Sequence, residues 1–385
     1  MRETGPRPHG AQTAPPRRGG NPLSLKRVCV AMSGGVDSTG AALLLLRGGY
    51  DVFGVTLRLQ SGCPAAVRRG EADIEAARVS AAALGIPHTV LDLRDLFRSA
   101  VMDRFAGEYA RGRTPNPCLD CNRAVKFGAM LDWALEQGAD ALSTGHYAAV
   151  AFDDARGRWL LLRGQDPRKD QSYFLYQLTQ RQLAHLLLPV GSYEKTALRA
   201  LAAEAGLSNA HRADSQDICF IPDGDYAAFL RRRGGAGLTP GDFVDASGRV
   251  LGRHRGLACY TTGQRKGLGV SAETPLYVLG KDVASNTVTL GPDSALYTRE
   301  LTADSLNWIS IPAPEAPLSV TARTRHSQRE TPALVEPLSG GRVRVVFQTP
   351  QRAVTPGQAV VFYDGTRVVG GGTILQQGSK IPSNC

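Results

Sequence analysis

The stretch from Arg113 to Gly128, RTPNPCLDCNRAVKFG, carries two cysteines three residues apart, Cys118 and Cys121, in a loop rich in Pro and Asn that leads into a basic helical segment. Thiols so placed can clip a metal, form a redox pair, attack an electrophile or simply pack. Attack needs the thiolate, and Arg113 and Arg123 are expected to favour that charged form. A second stretch, AMSGGVDST (31–39), brings Gly34 and Gly35 together with Ser33, Asp37 and Ser38. A glycine pair lets the backbone turn tightly and aim its N–H groups, and the start of a helix adds a positive dipole. The product is a cradle for phosphate. Asp37 is suited to orient Mg²⁺ or to cap the helix. The stretch lacks the lysine and spacing of a Walker A loop, and it is not the dinucleotide fingerprint.

These residues need elements to hold them. RVCVAM (27–32) reads as a buried strand and DSTGAALLLLRGG as a helix closed by glycine. DVFGVTLRL is a second strand, EADIEAARVSAAALG an amphipathic helix, and PHTVLDL a third strand. AVKFGAMLDWALEQG reads as a helix and ADALSTGHYAAV as one strand. Repeated βαβ units imply a doubly wound α/β parallel sheet, which binds ligands beyond the carboxyl ends of its strands. After about residue 215 the turns become frequent and the apolar runs short and alternating, which signals two small β-rich domains, the last a closed barrel. The expected division is an extension over 1–24, an α/β domain over 25–215, a central β-rich domain over 216–298, a β-barrel over 299–378 and a tail over 379–385.

The chain has 385 residues, 45 Lys and Arg against 35 Asp and Glu, and a net charge of +10. That excess suits a polyanionic partner such as nucleic acid. No apolar run is long enough to span a bilayer, which excludes helical membrane proteins. The seven cysteines are odd in number and scattered, which points to a reducing compartment and a cytoplasmic protein. Cys29 lies inside an apolar strand and is expected in the core. Residues 1–24, rich in Pro, Gly and Arg, hold too little apolar surface to order themselves.

SGGVDS at a strand-to-helix junction resembles the PP-loop ATP pyrophosphatases, which cleave ATP between the α and β phosphates and adenylate a substrate oxygen. TPNPCLDCNRAVKFG, STGHYA (143–148), KDQSYFLY (169–176) and ADSQDICFIPDGDYAAFL (213–230) narrow the likeness, and YTTGQRKGLGV (260–270) and VTPGQAVVFYDG (354–365) extend it. Together, from about Lys26 to about Ile374, the chain resembles the tRNA-specific 2-thiouridylases. The resemblance implies ATP-dependent replacement of the 2-oxygen of the wobble uridine by sulfur, on tRNAs for Lys, Glu and Gln. A protein donor, such as a cysteine desulfurase or a sulfur relay, would supply the sulfur. It implies ATP at Ala31, Met32, Ser33, Gly34, Gly35, Val36, Asp37 and Ser38, with Leu57 and Gly145 as further nucleotide contacts. Cys121 matches the nucleophile and Cys219 the persulfide carrier, and the two would form a disulfide during turnover. Asn116, Pro117 and Cys118 match the loop that receives the flipped base. His146, Lys169, Asp170, Gln171, Arg325, His326 and Gln358 match tRNA contacts.

One position departs from the pattern. In the best-known members of the family the resemblance places an aspartate where this chain has Cys118, and a thiol does not simply replace a carboxylate in proton transfer. Three arrangements follow. Cys118 is a bystander to a persulfide mechanism; or Cys118, Cys121 and Cys219 hold a 4Fe–4S cluster, as the resemblance suggests for Cys-x-x-Cys members; or zinc binds there, with too few ligands for a structural site. Two other function classes share single features: a small-molecule adenylating ligase shares the phosphate loop, and a non-catalytic RNA-binding protein shares the charge.

Overall fold

The computed structural model describes residues 26–210 and 218–377. The extension expected over 1–24, the tail and the segment 211–217 of the cysteine motif lie outside the described residues. In chain order the strands are β1 (Arg27–Ala31), β2 (Asp51–Arg58), β3 (His88–Asp92), β4 (Ala141–Ser143), β5 (Ala148–Asp153), β6 (Arg158–Arg163) and β7 (Leu186–Leu187). They continue as β8 (Gly241–Val244), β9 (Val250–His254), β10 (Tyr277–Asp282), β11 (Thr287–Gly291), β12 (Tyr297–Trp308), β13 (Leu318–Arg323), β14 (Thr331–Leu338), β15 (Arg342–Arg352), β16 (Ala359–Asp364) and β17 (Arg367–Gln377).

Five strands form a parallel sheet in the order β3-β2-β1-β4-β7. The chain leaves β1 toward β2 and β3, then returns to the other side of β1 as β4. That reversal opens a crevice at the carboxyl ends of β1 and β4, where α/β sheets bind ligands. Val28, Cys29 and Val30 have no solvent exposure, so β1 is the core strand its unbroken apolar run implies. Burial pushes the Cys29 thiol up to about 12, as befits an inert core residue. Helices α1 (Val36–Arg47) and α2 (Pro64–Ala83) cross between the first three strands.

The strand expected over ADALSTGHYAAV is in fact two. Thr144–Tyr147 breaks it, and β5 joins a different sheet. With β6 it forms a hairpin whose edge touches β17 at Leu162 and Arg367. The sequence hid this because both halves are equally apolar. Strands β12-β15-β14-β13-β16-β17 close into a six-stranded barrel through the β12–β17 pairing. Between the α/β domain and the barrel in chain order comes a four-stranded sheet, β10-β11-β8-β9. No helix among the described residues is long and apolar enough to cross a membrane.

Candidate active site

The phosphate loop sits at the carboxyl end of β1. Gly34 has φ 73°, a left-handed conformation that glycine adopts without strain. Ser38 Oγ accepts from Ser33 N at 3.1 Å and donates to Gly35 O at 3.0 Å, so the turn is braced from within. Gly145 lies just past β4, across the crevice. A Cβ there would come within 2.6 Å of Asp37 C and Ser38 N. Only glycine lets these two backbones approach so closely, which leaves the loop's concave side open for phosphate. Leu57, at the end of β2, is half-buried beside the same edge.

Asp37 does not stand free for a cation. Lys195 Nζ donates to both its oxygens, at 2.7 and 2.8 Å, and Tyr147 Oη donates to Oδ1 at 2.8 Å. Lys195 is 7% exposed, and a buried charge persists only with such a partner. Asn209 Nδ2 donates to Gly34 O at 3.2 Å and Thr39 Oγ1 at 2.8 Å, tying the loop to the end of the domain. Sequence reading missed Lys195, Tyr147 and Asn209. Lys195 and Asn209 lie far along the chain from the loop, and no local spacing marks them.

The cysteine loop opens a helix that runs from Pro117 to Glu136 into β4, so its first turn lies at the sheet's carboxyl edge. Asn116 caps it, accepting from Cys118 N at 3.2 Å, and Pro117 fills the first helical position. From Cys121 to Ala129 the winding is π-helical, a widening common at functional sites. Cys121 is 9% exposed; Cys118 and Cys219 are exposed. Phe220 carries Cys219 to the site. Its ring is buried against Phe97, Phe105 and Phe229 at centroid distances of 5.7, 5.4 and 5.1 Å, in one cluster with Cys121. Burying such a ring contributes about 1.5–3 kcal/mol.

The three thiols feel one another. Desolvation pushes Cys121 up to about 12, and Cys219 and Cys118 add to the rise, while Lys126 opposes it. Cys118 and Cys219 are also raised, by desolvation first, and Lys126 opposes both shifts. The expected role of Arg113 and Arg123 is thereby corrected. Arg113 pairs with Glu108 at 3.4 Å and Arg123 with Asp120 at 3.6 Å, so each spends its charge elsewhere. Lys126 is the cation that acts on all three thiols; it was overlooked because it stands five residues after Cys121, and only π-helical winding brings that spacing onto one face. Among the described residues no group of three His, Cys, Asp or Glu side chains is gathered to hold a metal.

The residues matched to tRNA contacts fall into three places. Lys169, Asp170 and Gln171 meet Arg325 and His326 across a domain junction: His326 Nε2 lies 3.0 Å from Asp170 O, and its ring packs on Phe174 at 4.5 Å. Asp170 is 3% exposed and its carboxylate accepts from Gly164 N, Ser172 N and Ser172 Oγ. That carboxylate therefore serves the fold. Gln171 Oε1 accepts from Tyr147 N at 3.0 Å. His146, beside Gly145, is held well below its usual pKa by burial and then by Lys126, so it is neutral and offers no charge to phosphate. Gln358 is bonded to the cysteine loop.

This geometry has relatives. The family model described as tRNA methyl transferase HUP domain matches residues 26–223, the tRNA methyl transferase PRC-barrel domain matches 227–292, and the aminomethyltransferase beta-barrel domain matches 298–374. The tRNA-specific 2-thiouridylase MnmA of Acetivibrio thermocellus is 49% identical over 358 residues, covering 91% of this chain and 100% of that protein. The chain belongs to the tRNA-specific 2-thiouridylase family. The 2-thiouridylase of Heliobacterium modesticaldum is 50% identical over 355 residues, covering 91% of this chain and 92% of its own. Among solved structures, the U34-tRNA thiolase NcsA from Methanococcus maripaludis, with its 4Fe–4S cluster, is similar at 17% identity and a TM-score of 0.34, over 54% of this chain and 67% of that one.

Proposed function

We propose that this family member is a tRNA sulfurtransferase that makes 2-thiouridine at the wobble position of tRNAs for Lys, Glu and Gln. The observation that carries the reading is one shared edge: the phosphate loop at the end of β1 and the first turn of the cysteine helix both lie at the carboxyl side of the parallel sheet. An ATP-activating loop and a thiol pair on one edge are the two halves of an activate-then-substitute reaction. The words methyl transferase in the family-model descriptions name a different group, but a thiol pair on the same sheet edge as a phosphate cradle suits sulfur.

The phosphate loop would hold ATP while the uridine 2-oxygen attacks the α-phosphorus and pyrophosphate leaves. The oxygen, poor as a leaving group, becomes AMP. A protein donor such as a cysteine desulfurase or a sulfur relay would load Cys219 as a persulfide. Its terminal sulfur attacks C2 and expels AMP. The Cys121 thiolate then attacks Cys219 Sγ, releases the 2-thiouridine and leaves a Cys121–Cys219 disulfide, which an external thiol must reduce. Lys126 is placed to steady the thiolate against the burial that raises Cys121. Mg²⁺ would accompany the nucleotide, although Asp37 is committed to Lys195.

The test supplies ATP, a persulfide donor and tRNA, then measures 2-thiouridine, AMP and pyrophosphate. Cys121→Ser should keep tRNA binding and lose thiolation. Turnover of a metabolite with no tRNA requirement would replace the reading.

A further inference from the structure

We infer that the barrel turn Thr355–Gln358 is a positioning element for the cysteine loop, so that the C-terminal barrel fixes the place of the nucleophile and does not only receive tRNA. The inference rests on the function proposed above and goes beyond the tRNA contact that resemblance assigns to Gln358.

Both backbone groups of Thr114, at the start of the loop, are spent on this turn. Thr114 N donates to Pro356 O at 3.0 Å, and Gln358 Nε2 donates to Thr114 O at 2.7 Å. Gly357 lies between them with φ 89°; a Cβ there would stand 2.9 Å from Arg113 Cβ and 3.1 Å from Thr114 N. Turn and loop are thus in contact along their backbones, at a spacing only glycine allows.

The turn can act as a fixed reference because it is rigid on its own side. Gly357 N donates to Ile374 O at 2.9 Å, Ile374 N to Gln358 O at 2.8 Å, and Gln358 N to Thr355 O at 3.2 Å. Arg325 Nη2 donates to Thr355 Oγ1 at 2.6 Å, and to Ala353 O and Thr262 O at 3.0 Å, joining barrel, turn and central domain at one guanidinium. Tyr173 Oη donates to Ala359 O at 3.0 Å from the α/β side. Val354, Thr355 and Ala359 are buried. On the loop's side Thr114 Oγ1 is buried with no partner, so its side chain adds no hold. From Thr114 the chain reaches the Asn116 cap and then Cys118 and Cys121 within two turns, so a shift at Thr114 moves the thiols. Gln358 is therefore a positioning residue, acting on the reaction through Thr114.

The test uses the full-length protein. Gln358→Ala removes one bond, and Gly357→Ala wedges turn from loop. Gly365→Ala is the control: it carries a similar left-handed penalty (φ 58°) in the same barrel with nothing within 4 Å. Hydrogen–deuterium exchange is followed over residues 113–119 without tRNA, and kcat and KM for tRNA thiolation are measured separately. Gln358→Ala and Gly357→Ala should speed that exchange about five-fold or more and lower kcat by roughly five- to thirty-fold, with KM for tRNA nearly unchanged. Gly365→Ala should leave both readouts at wild-type values. Unchanged exchange over 113–119 in Gln358→Ala, or a raised KM with kcat intact, overturns the inference and returns Gln358 to a plain tRNA contact. If wild-type protein forms no 2-thiouridine, the proposed function fails, while the exchange data still judge the contact between turn and loop.

Discussion

Replacing Lys195 with methionine keeps the aliphatic stem and deletes one charge. The Lys195–Asp37 pair is 2.7 Å long, its side chains 8% and 32% exposed. At an effective dielectric of about 20, charges that close attract by roughly 6 kcal/mol. Desolvating the ammonium takes back much of this. Breaking a fully buried pair by removing one partner costs ~3–5 kcal/mol; since Asp37 reaches water and keeps Tyr147, about 2–3 kcal/mol is the expected loss. For a domain of this size, that lowers the melting temperature by about 4–12 °C. Asp37 opens α1 beside Ser38, so a loosened carboxylate also disturbs the phosphate loop, and ATP–pyrophosphate exchange in the presence of tRNA should fall with stability. The assay is a double-mutant cycle of Lys195→Met and Asp37→Asn, read by thermal unfolding and by the exchange reaction. A coupling energy of about 2 kcal/mol supports the account. Two effects that add to within ~0.5 kcal/mol would refute it, because the charges would then act independently.

Gly145→Ala places a methyl 2.6 Å from Asp37 C and Ser38 N; overpacking of ~1–3 kcal/mol should weaken ATP about ten- to a hundred-fold with tRNA affinity kept, as equilibrium binding would show. His146 is neutral in the fold because burial lowers its pKa, and His88 and His254 shift the same way for the same first cause. The unfolded chain takes up protons near pH 6.5 that the folded chain refuses, so their stability is present above that pH and lost as pH falls, by at most about 1.4 kcal/mol per unit for each histidine. His146→Gln should flatten this slope in urea unfolding at about pH 5.5 and 7.5, and an identical slope would show that His146 is not buried neutral. Binding of tRNA should weaken steeply between roughly 50 and 200 mM salt if basic side chains grip phosphates; a flat dependence would deny them that role.

The sequence determined the local chemistry of this protein. SGGVDS between an apolar run and a helix already implied a phosphate turn, since glycine freedom and a helix start act within a few residues. The unbroken RVCVAM implied a core strand with Cys29 inside, and the structure buries it completely. The two cysteines and the shift to short strands after residue 215 were equally legible, for the same reason. What the chain order could not show was decided by packing across long separations. Lys195 reaches Asp37 over 158 residues, and Gln358 reaches Thr114 over 244. Hairpin β5–β6 leaves the sheet of its own domain for the edge of the barrel. The electrostatics of the thiols also waited on the fold: neighbouring arginines suggested a favoured thiolate, yet burial outweighs them because Glu108 and Asp120 take their charge and Lys126 is left to oppose it. A spacing can name the groups that react, but desolvation and ion pairing depend on everything packed around them, and only the tertiary structure brings that together.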